Sequence, residues 1–190
     1  MQKVLLFLPA LLLSLSLHAQ TVASINIEDN ITLQDSAKKL VLNGAGIRTK
    51  FIFDIYIGAL YLEQKQNTPV AIYQLGGEKR IHMHFLYDEI SKEKLTNSWS
   101  EGFKNNHNDN ELAKLQARIN QFNAMFQAVK TGDVINLDFN PEKGTTVIIN
   151  DVSKGVIKGN DFFSALLKIW LGEQPADNDL KQAMLGESND

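Results

Sequence analysis

The chain has 190 residues, a formal net charge of −3, 44% hydrophobic and 22% charged residues, which suits one domain with a substantial core and is short for two. No basic stretch interleaved with aromatics occurs, so nucleic acid is not an expected partner. Cysteine is absent, which excludes disulfides, thiol nucleophiles, cysteine zinc sites and iron–sulfur clusters.

The N-terminus carries Lys3, then an apolar run from Val4 to Leu17 broken only by Pro9, Ser14 and Ser16, then Leu17-His18-Ala19. That layout predicts a signal peptide over residues 1–19 and a single domain over residues 20–190, exported and periplasmic. The run is short for a membrane span, and none is expected after cleavage; a retained N-terminal anchor is the alternative. Gln20 follows the cut, so lipoprotein processing is not indicated.

Residues 20–36 alternate short apolar pieces with turn formers and predict short strands. Leu40-Val41-Leu42 leads into Asn43-Gly44-Ala45-Gly46, a tight turn or a bulge. Phe51 to Leu62 is apolar on both alternating faces, which predicts a central strand covered on both sides. Lys79 to Leu86 reads as another strand. Ser91 is placed to cap a helix running to about Lys104, with Leu95, Trp99 and Phe103 in a stripe.

Leu112, Leu115, Ile119, Phe122, Phe126 and Val129 step by three or four, which predicts a helix with Gly132 at its C-terminal cap. From Asp133 to Lys158 the period becomes that of strands, a three-stranded meander with turns near Asn140–Gly144 and at Asn150-Asp151. Asn160 is expected to cap a helix bearing Phe163, Leu166, Leu167, Trp170 and Leu171, ended by Gly172, and Asp177 opens a last short helix ending near Gly186. This order gives an α+β fold built on an antiparallel sheet.

Two stretches carry more than periodicity. Leu42-Asn43-Gly44-Ala45-Gly46-Ile47-Arg48, followed by Phe53 to Glu63, resembles the L-x-G-A-G-x-R … V-Y-L-E signature of chalcone isomerase-like proteins. Asp161 to Pro175, with its Ala-Leu-Leu-Lys-Ile-Trp-Leu-Gly core, resembles the ending of the family's bacterial, exported branch. The resemblance runs from about residue 24 to 186. It implies an open-faced β-sandwich, an antiparallel sheet packed by a helical layer, that works without a cofactor. It also implies two activities: plant members cyclise a chalcone to a flavanone, whereas plastid relatives bind fatty acids through an arginine and a tyrosine.

Arg48 matches the family's anion-binding arginine and is the candidate catalytic or ligand-binding residue. A guanidinium offers a planar fork of donors suited to a carboxylate or phenolate. Tyr56 falls where the isomerases have a catalytic threonine, a departure that favours ligand binding, since a phenol can donate a hydrogen bond while its ring lines an apolar wall. In one straight strand the two α-carbons would stand about 26 Å apart. The chain must therefore bend between them, at Thr49-Lys50 or before them at Gly46. The isomerases' tyrosine should fall near Ser91 and is missing; Tyr87 lies four residues earlier, and Ser164 is the candidate for the remaining polar contact. Phe51, Phe53 and Ile55 are expected walls. Asp54 should pair with Lys50 or Arg48, or lie at a sheet edge.

His82 and His84 alternate on one strand without a third ligand spaced to join them, and no metal is expected. His107 is read as solvated, and Trp99 and Trp170 as core. No lysine-bearing phosphate loop, G-x-S-x-G elbow or H-E-x-x-H occurs. The leading expectation is an exported protein binding a small amphipathic or aromatic acid, a fatty acid first, in an apolar pocket. The alternatives are a cofactor-free isomerase performing intramolecular conjugate addition and a cell-envelope interaction protein with a vestigial pocket.

Overall fold

The computed structural model describes residues 19–187; the expected signal peptide lies outside them apart from Ala19. The strands are β1 (Ala19–Val22), β2 (Ile25–Glu28), β3 (Asn30–Thr32), β4 (Lys39–Lys50), β5 (Phe53–Leu62), β6 (Lys79–Phe85), β7 (Glu89–Ile90), β8 (Val129–Lys130), β9 (Val134–Asn140), β10 (Gly144–Ile149) and β11 (Val152–Ile157). The helices are α1 (Pro69–Gln74), α2 (Lys92–Asn106), α3 (Asp109–Ala124), α4 (Asn160–Leu171) and α5 (Asn178–Met184). Seven strands form one antiparallel sheet in the order β11-β10-β9-β6-β5-β4-β3, and β1–β2 and β7–β8 form separate two-stranded ribbons. The α+β reading and the meander β9–β10–β11 are what the sequence predicts.

One sheet face packs against the helices. Leu60, Leu62, Ile81, Met83 and Leu137 meet Trp99, Phe122, Phe162, Leu166 and Trp170 in the main core. The opposite face carries a smaller core of Leu40, Leu42, Ala45, Ile57, Ala59 and Tyr61, closed by Ile27 and Leu33. Strand β5 is thus covered on both sides, as its two apolar faces require.

The Asn43–Gly46 segment does not turn. It continues inside β4, and the pairing with β5 shifts between Leu42 and Gly44, so Asn43 is the extra residue of a bulge. The bulge switches faces: Leu40, Leu42 and Ala45 point to the smaller core, while Gly44 and Gly46 point to α5. A Cβ on Gly44 would overlap the Ala183 carbonyl oxygen, and one on Gly46 would come within 2.6 Å of the Ala183 side chain. These glycines let helix and sheet approach closely. Asn43, 4% exposed, uses its freed side chain to lock the seat. Its Nδ2 donates to the Met184 carbonyl at 2.7 Å, and its Oδ1 accepts from the Gln66 N–H at 2.7 Å.

Two helix ends differ from expectation. Helix α3 stops at Ala124, although Phe126 and Val129 continue the apolar step. Val129 is drawn out to pair with Ile90 in the β7–β8 ribbon, a tertiary contact that local periodicity does not show. Gly132, at φ 87°, instead serves the turn before β9. Helix α4 is capped by Gly159 at φ 101°, one residue before Asn160, while Gly172 ends it as expected. Ser91 caps α2 and Asp177 caps α5 through side-chain acceptance of backbone N–H groups.

The glycine seat gives a stability test. Gly44→Ala should destabilise the fold by about 3 kcal/mol through overpacking, read as a lower urea midpoint. Gly76→Ala, where an added Cβ meets nothing within 4 Å, should stay within about 0.5 kcal/mol. Equal midpoints would refute the seat.

Candidate functional site

The bend that Arg48 and Tyr56 need is a hairpin. Strands β4 and β5 fold back at Phe51-Ile52, just beyond Thr49-Lys50, and Arg48 becomes the direct cross-strand partner of Tyr56. The pairing depends on the Asn43 bulge; without it Ile47 would face Tyr56. The Arg48 guanidinium carbon stands 5.6 Å from the centre of the Tyr56 ring, a cation–π contact.

A second register shift falls between Arg48 and Thr49, and here the extra residue is Ile55 on β5. Its carbonyl accepts the N–H groups of both Leu86 and Tyr87, at 3.0 and 3.2 Å. The consequence is that Ile55 and Tyr56, though adjacent, both line one cavity.

That cavity, about 450 Å³, lies between the β4–β5 hairpin and α2. Phe85, Leu95, Trp99 and Ile169 supply further apolar wall, and Lys50, Lys94, Glu89 and Glu101 bring charge of both signs. The expected walls Phe51, Phe53 and Ile55 all border it. Only Ile55 is buried, at 8% exposure; Phe51 at 89% and Phe53 at 49% form a rim. Tyr87 borders the cavity with its ring edge-on to Phe53, centroids 5.5 Å apart.

The polar groups of the site are mostly donors. Tyr56 is buried and its oxygen accepts the Trp170 indole N–H at 2.9 Å. Because that lone pair is used, the phenol's own proton is left to donate. Burial pushes the Tyr56 pKa up, with Arg48 pulling it the other way, so the group stays a neutral phenol at ordinary pH. The Arg48 Nε and the Trp99 indole Nε1 are buried without a hydrogen-bond partner, and Arg48 makes no ion pair among the described residues. Buried donors without acceptors are costly. Arg48 and Trp99 both belong to the lining of the cavity.

Helix α5 fixes the neighbouring backbone. Asp177 caps the helix by accepting the Leu180 N–H through Oδ1 and accepts the Thr49 N–H through Oδ2, both at 3.0 Å. Ala176, immediately before it, borders the cavity. The glycine seat and the Arg48 end of β4 are thereby held by one short helix.

Other candidates fall elsewhere. Ser91 is spent on capping α2, its Oγ accepting the Lys94 N–H at 3.3 Å. Ser164 donates to the Asn160 carbonyl at 3.2 Å and does not border the cavity. Asp54 pairs with neither Lys50 nor Arg48; it accepts from the Thr49 hydroxyl at 3.2 Å. His82 and His84 share the face opposite the main core, where His82 Nδ1 meets Asn136 Oδ1 at 2.8 Å. Among the described residues no group of three or more His, Asp or Glu is placed to hold a metal. His107 is half-buried rather than solvated, its Nδ1 2.9 Å from the Phe103 carbonyl. Trp99 and Trp170 are buried as expected, yet both serve the site, which their apolar stripes conceal. The usable signal is that a buried indole N–H needs a partner.

The fold has known counterparts. A fatty-acid binding protein of Arabidopsis thaliana superposes with a TM-score of 0.59 at 15% identity, covering 82% of this chain and 95% of that one. No curated protein sequence matches. The family model described as chalcone isomerase-like matches residues 19–186. The chain therefore belongs to the chalcone isomerase-like family.

Proposed function

We propose that this protein binds a small amphipathic acid, a fatty acid first, with Arg48 and Tyr56 on its head group and the apolar walls around its chain. The observation carrying the reading is the set of unspent donors, the Arg48 guanidinium, the Tyr56 hydroxyl and the Trp99 indole, gathered at one largely apolar cavity. A carboxylate would accept from them and neutralise Arg48 at once. The volume suits a small ligand. The fatty-acid binding protein that shares the fold supports the ligand class. The N-terminal pattern of Lys3, apolar run and Ala19 supports export to the periplasm.

The donor role of Tyr56 favours binding over turnover, because its oxygen is already occupied by Trp170. Cyclisation of a chalcone that vanished in Arg48→Ala would replace the binding reading with the isomerase one.

The direct test is native mass spectrometry of gently purified protein, with organic extraction of whatever is bound. A co-purified long-chain acid that is missing from Arg48→Ala is the expected result. By titration calorimetry with laurate, Arg48→Ala should weaken affinity about 10- to 100-fold and Tyr56→Phe about tenfold. An affinity equal to wild type in Arg48→Ala removes the proposal.

The raised pKa of Tyr56 adds a pH test. Laurate affinity should stay level from about pH 7 to about pH 10, since the buried phenol remains protonated where a free tyrosine begins to ionise. A decline with a midpoint near the ordinary tyrosine value, absent in Tyr56→Phe, would show that the phenol is not held as a donor. For stability the sign is the same as for any raised acid. The unfolded chain loses this proton first, so Tyr56 contributes a falling stability above about pH 10.

A further inference from the structure

The two-residue turn joining β4 to β5 has an unusual composition. Phe51 holds φ at 59°, a region that glycine or asparagine fills at little cost and a bulky aromatic does not. The other non-glycine residues at positive φ among those described are small or polar: Ala23, Ser24, Ala37, and Asn150 and Asp151 of the β10–β11 turn. Phe51 is 89% exposed and Ile52 86%, the two most exposed large apolar residues described. Local strain and loss to water both disfavour this pair in the isolated chain.

Its position supplies a reason. Phe51 and Phe53 form the rim of the cavity whose inner wall is Ile55, Tyr56 and Trp99, so the tip stands at the mouth of the candidate site. Lys50, exposed and without an ion pair among the described residues, precedes the tip. The acid that follows, Asp54, is engaged by the Thr49 hydroxyl. The exposed patch is two side chains and half of a third. That is far short of the roughly 800 Å² per partner of a stable protein interface; two large apolar side chains beside a lysine suit shallow, reversible insertion at the acyl boundary of a bilayer.

We infer that the Phe51-Ile52 hairpin tip inserts into a lipid bilayer, with Lys50 at the phosphate level, and that the cavity loads or unloads its ligand there. The loading step rests on the binding reading above; the docking does not. A bilayer removes both side chains from water at once. It also shortens the aqueous path of an amphipathic acid to the rim of the cavity.

The test uses vesicles of equal parts phosphatidylcholine and phosphatidylglycerol, with co-sedimentation of the full mature chain as the readout. Ile52 does not border the cavity and is the clean position to change. Ile52→Ser should lower vesicle partitioning about tenfold and leave laurate affinity, measured without vesicles, within about twofold. Ile52→Trp should raise partitioning, since an indole favours the interface. Wild-type protein that stays in the supernatant overturns the inference, as does Ile52→Ser that sediments like wild type. A wild-type dimer that Ile52→Ser converts to a monomer would assign the tip to a second copy and overturn it as well. Vesicle binding without laurate binding would remove the ligand reading and keep the docking; laurate binding without vesicle binding would do the reverse.

Discussion

The close approach of α5 to β4 is the contact on which the rest of the site depends. Backbone meets backbone there because Gly44 and Gly46 have no side chain to hold the helix away. Once seated, the helix delivers Asp177 to the Thr49 N–H and Ala176 to the cavity edge. Its last turn takes the Asn43 hydrogen bond at the Met184 carbonyl. The Gly-Ala-Gly of the family signature is therefore first a packing device. Arg48 lies two residues past it on the same strand face, positioned by a contact that it does not itself make.

A second constraint works through desolvation. Trp170 donates its indole N–H to the Tyr56 oxygen, α4 to β5, which removes the cost of burying the indole donor. The pairing is asymmetric: the indole spends its only donor, and the phenol keeps its own. Arg48 above the Tyr56 ring is only part-buried and keeps contact with solvent. The inner wall thus sets the neutral phenol of Tyr56 beside the charged guanidinium of Arg48, with the other charges of the lining on Lys50, Lys94, Glu89 and Glu101.

Much of this was legible from the residues. Strand β5 announces itself through two apolar faces, and α4 through the stripe Phe163, Leu166, Leu167 and Trp170. The meander declares itself through turn residues such as Asn150 and Asp151, whose side chains tolerate positive φ. Arg48 and Tyr56 stand out because the stretches that resemble the family signature contain them, and their separation along a straight strand requires a bend that the Phe51-Ile52 turn supplies. Less visible were features decided by distant partners. Helix α3 ends early because Ile90 takes Val129 into a ribbon. The bulge at Ile55 has no composition signal, since isoleucine is an ordinary strand residue. Trp99 reads as core in any helical wheel, and only the three-dimensional arrangement shows that its N–H lacks an acceptor.

The two bulges of the β4–β5 hairpin fall on opposite strands, one at Asn43 and one at Ile55, and they cancel: the pairs beyond the second resume the register of the pairs before the first. The stretch between them, from Gly44 to Arg48 and from Tyr56 to Leu60, is therefore a phase-shifted window. Pairing Asn43 regularly, with its bulge ironed out and no residue lost, would turn the β4 side of that window over, sending Arg48 to the far face and the Ala45 side chain into the glycine seat. Relatives that keep this architecture should accept the loss of a bulge residue, Asn43 or Ile55, singly or together, because the partners within the window stay the same. The position of the extra residue on each strand, rather than strand length, becomes a parity code for this hairpin, and a sequence can be checked against it before any of its side chains are compared.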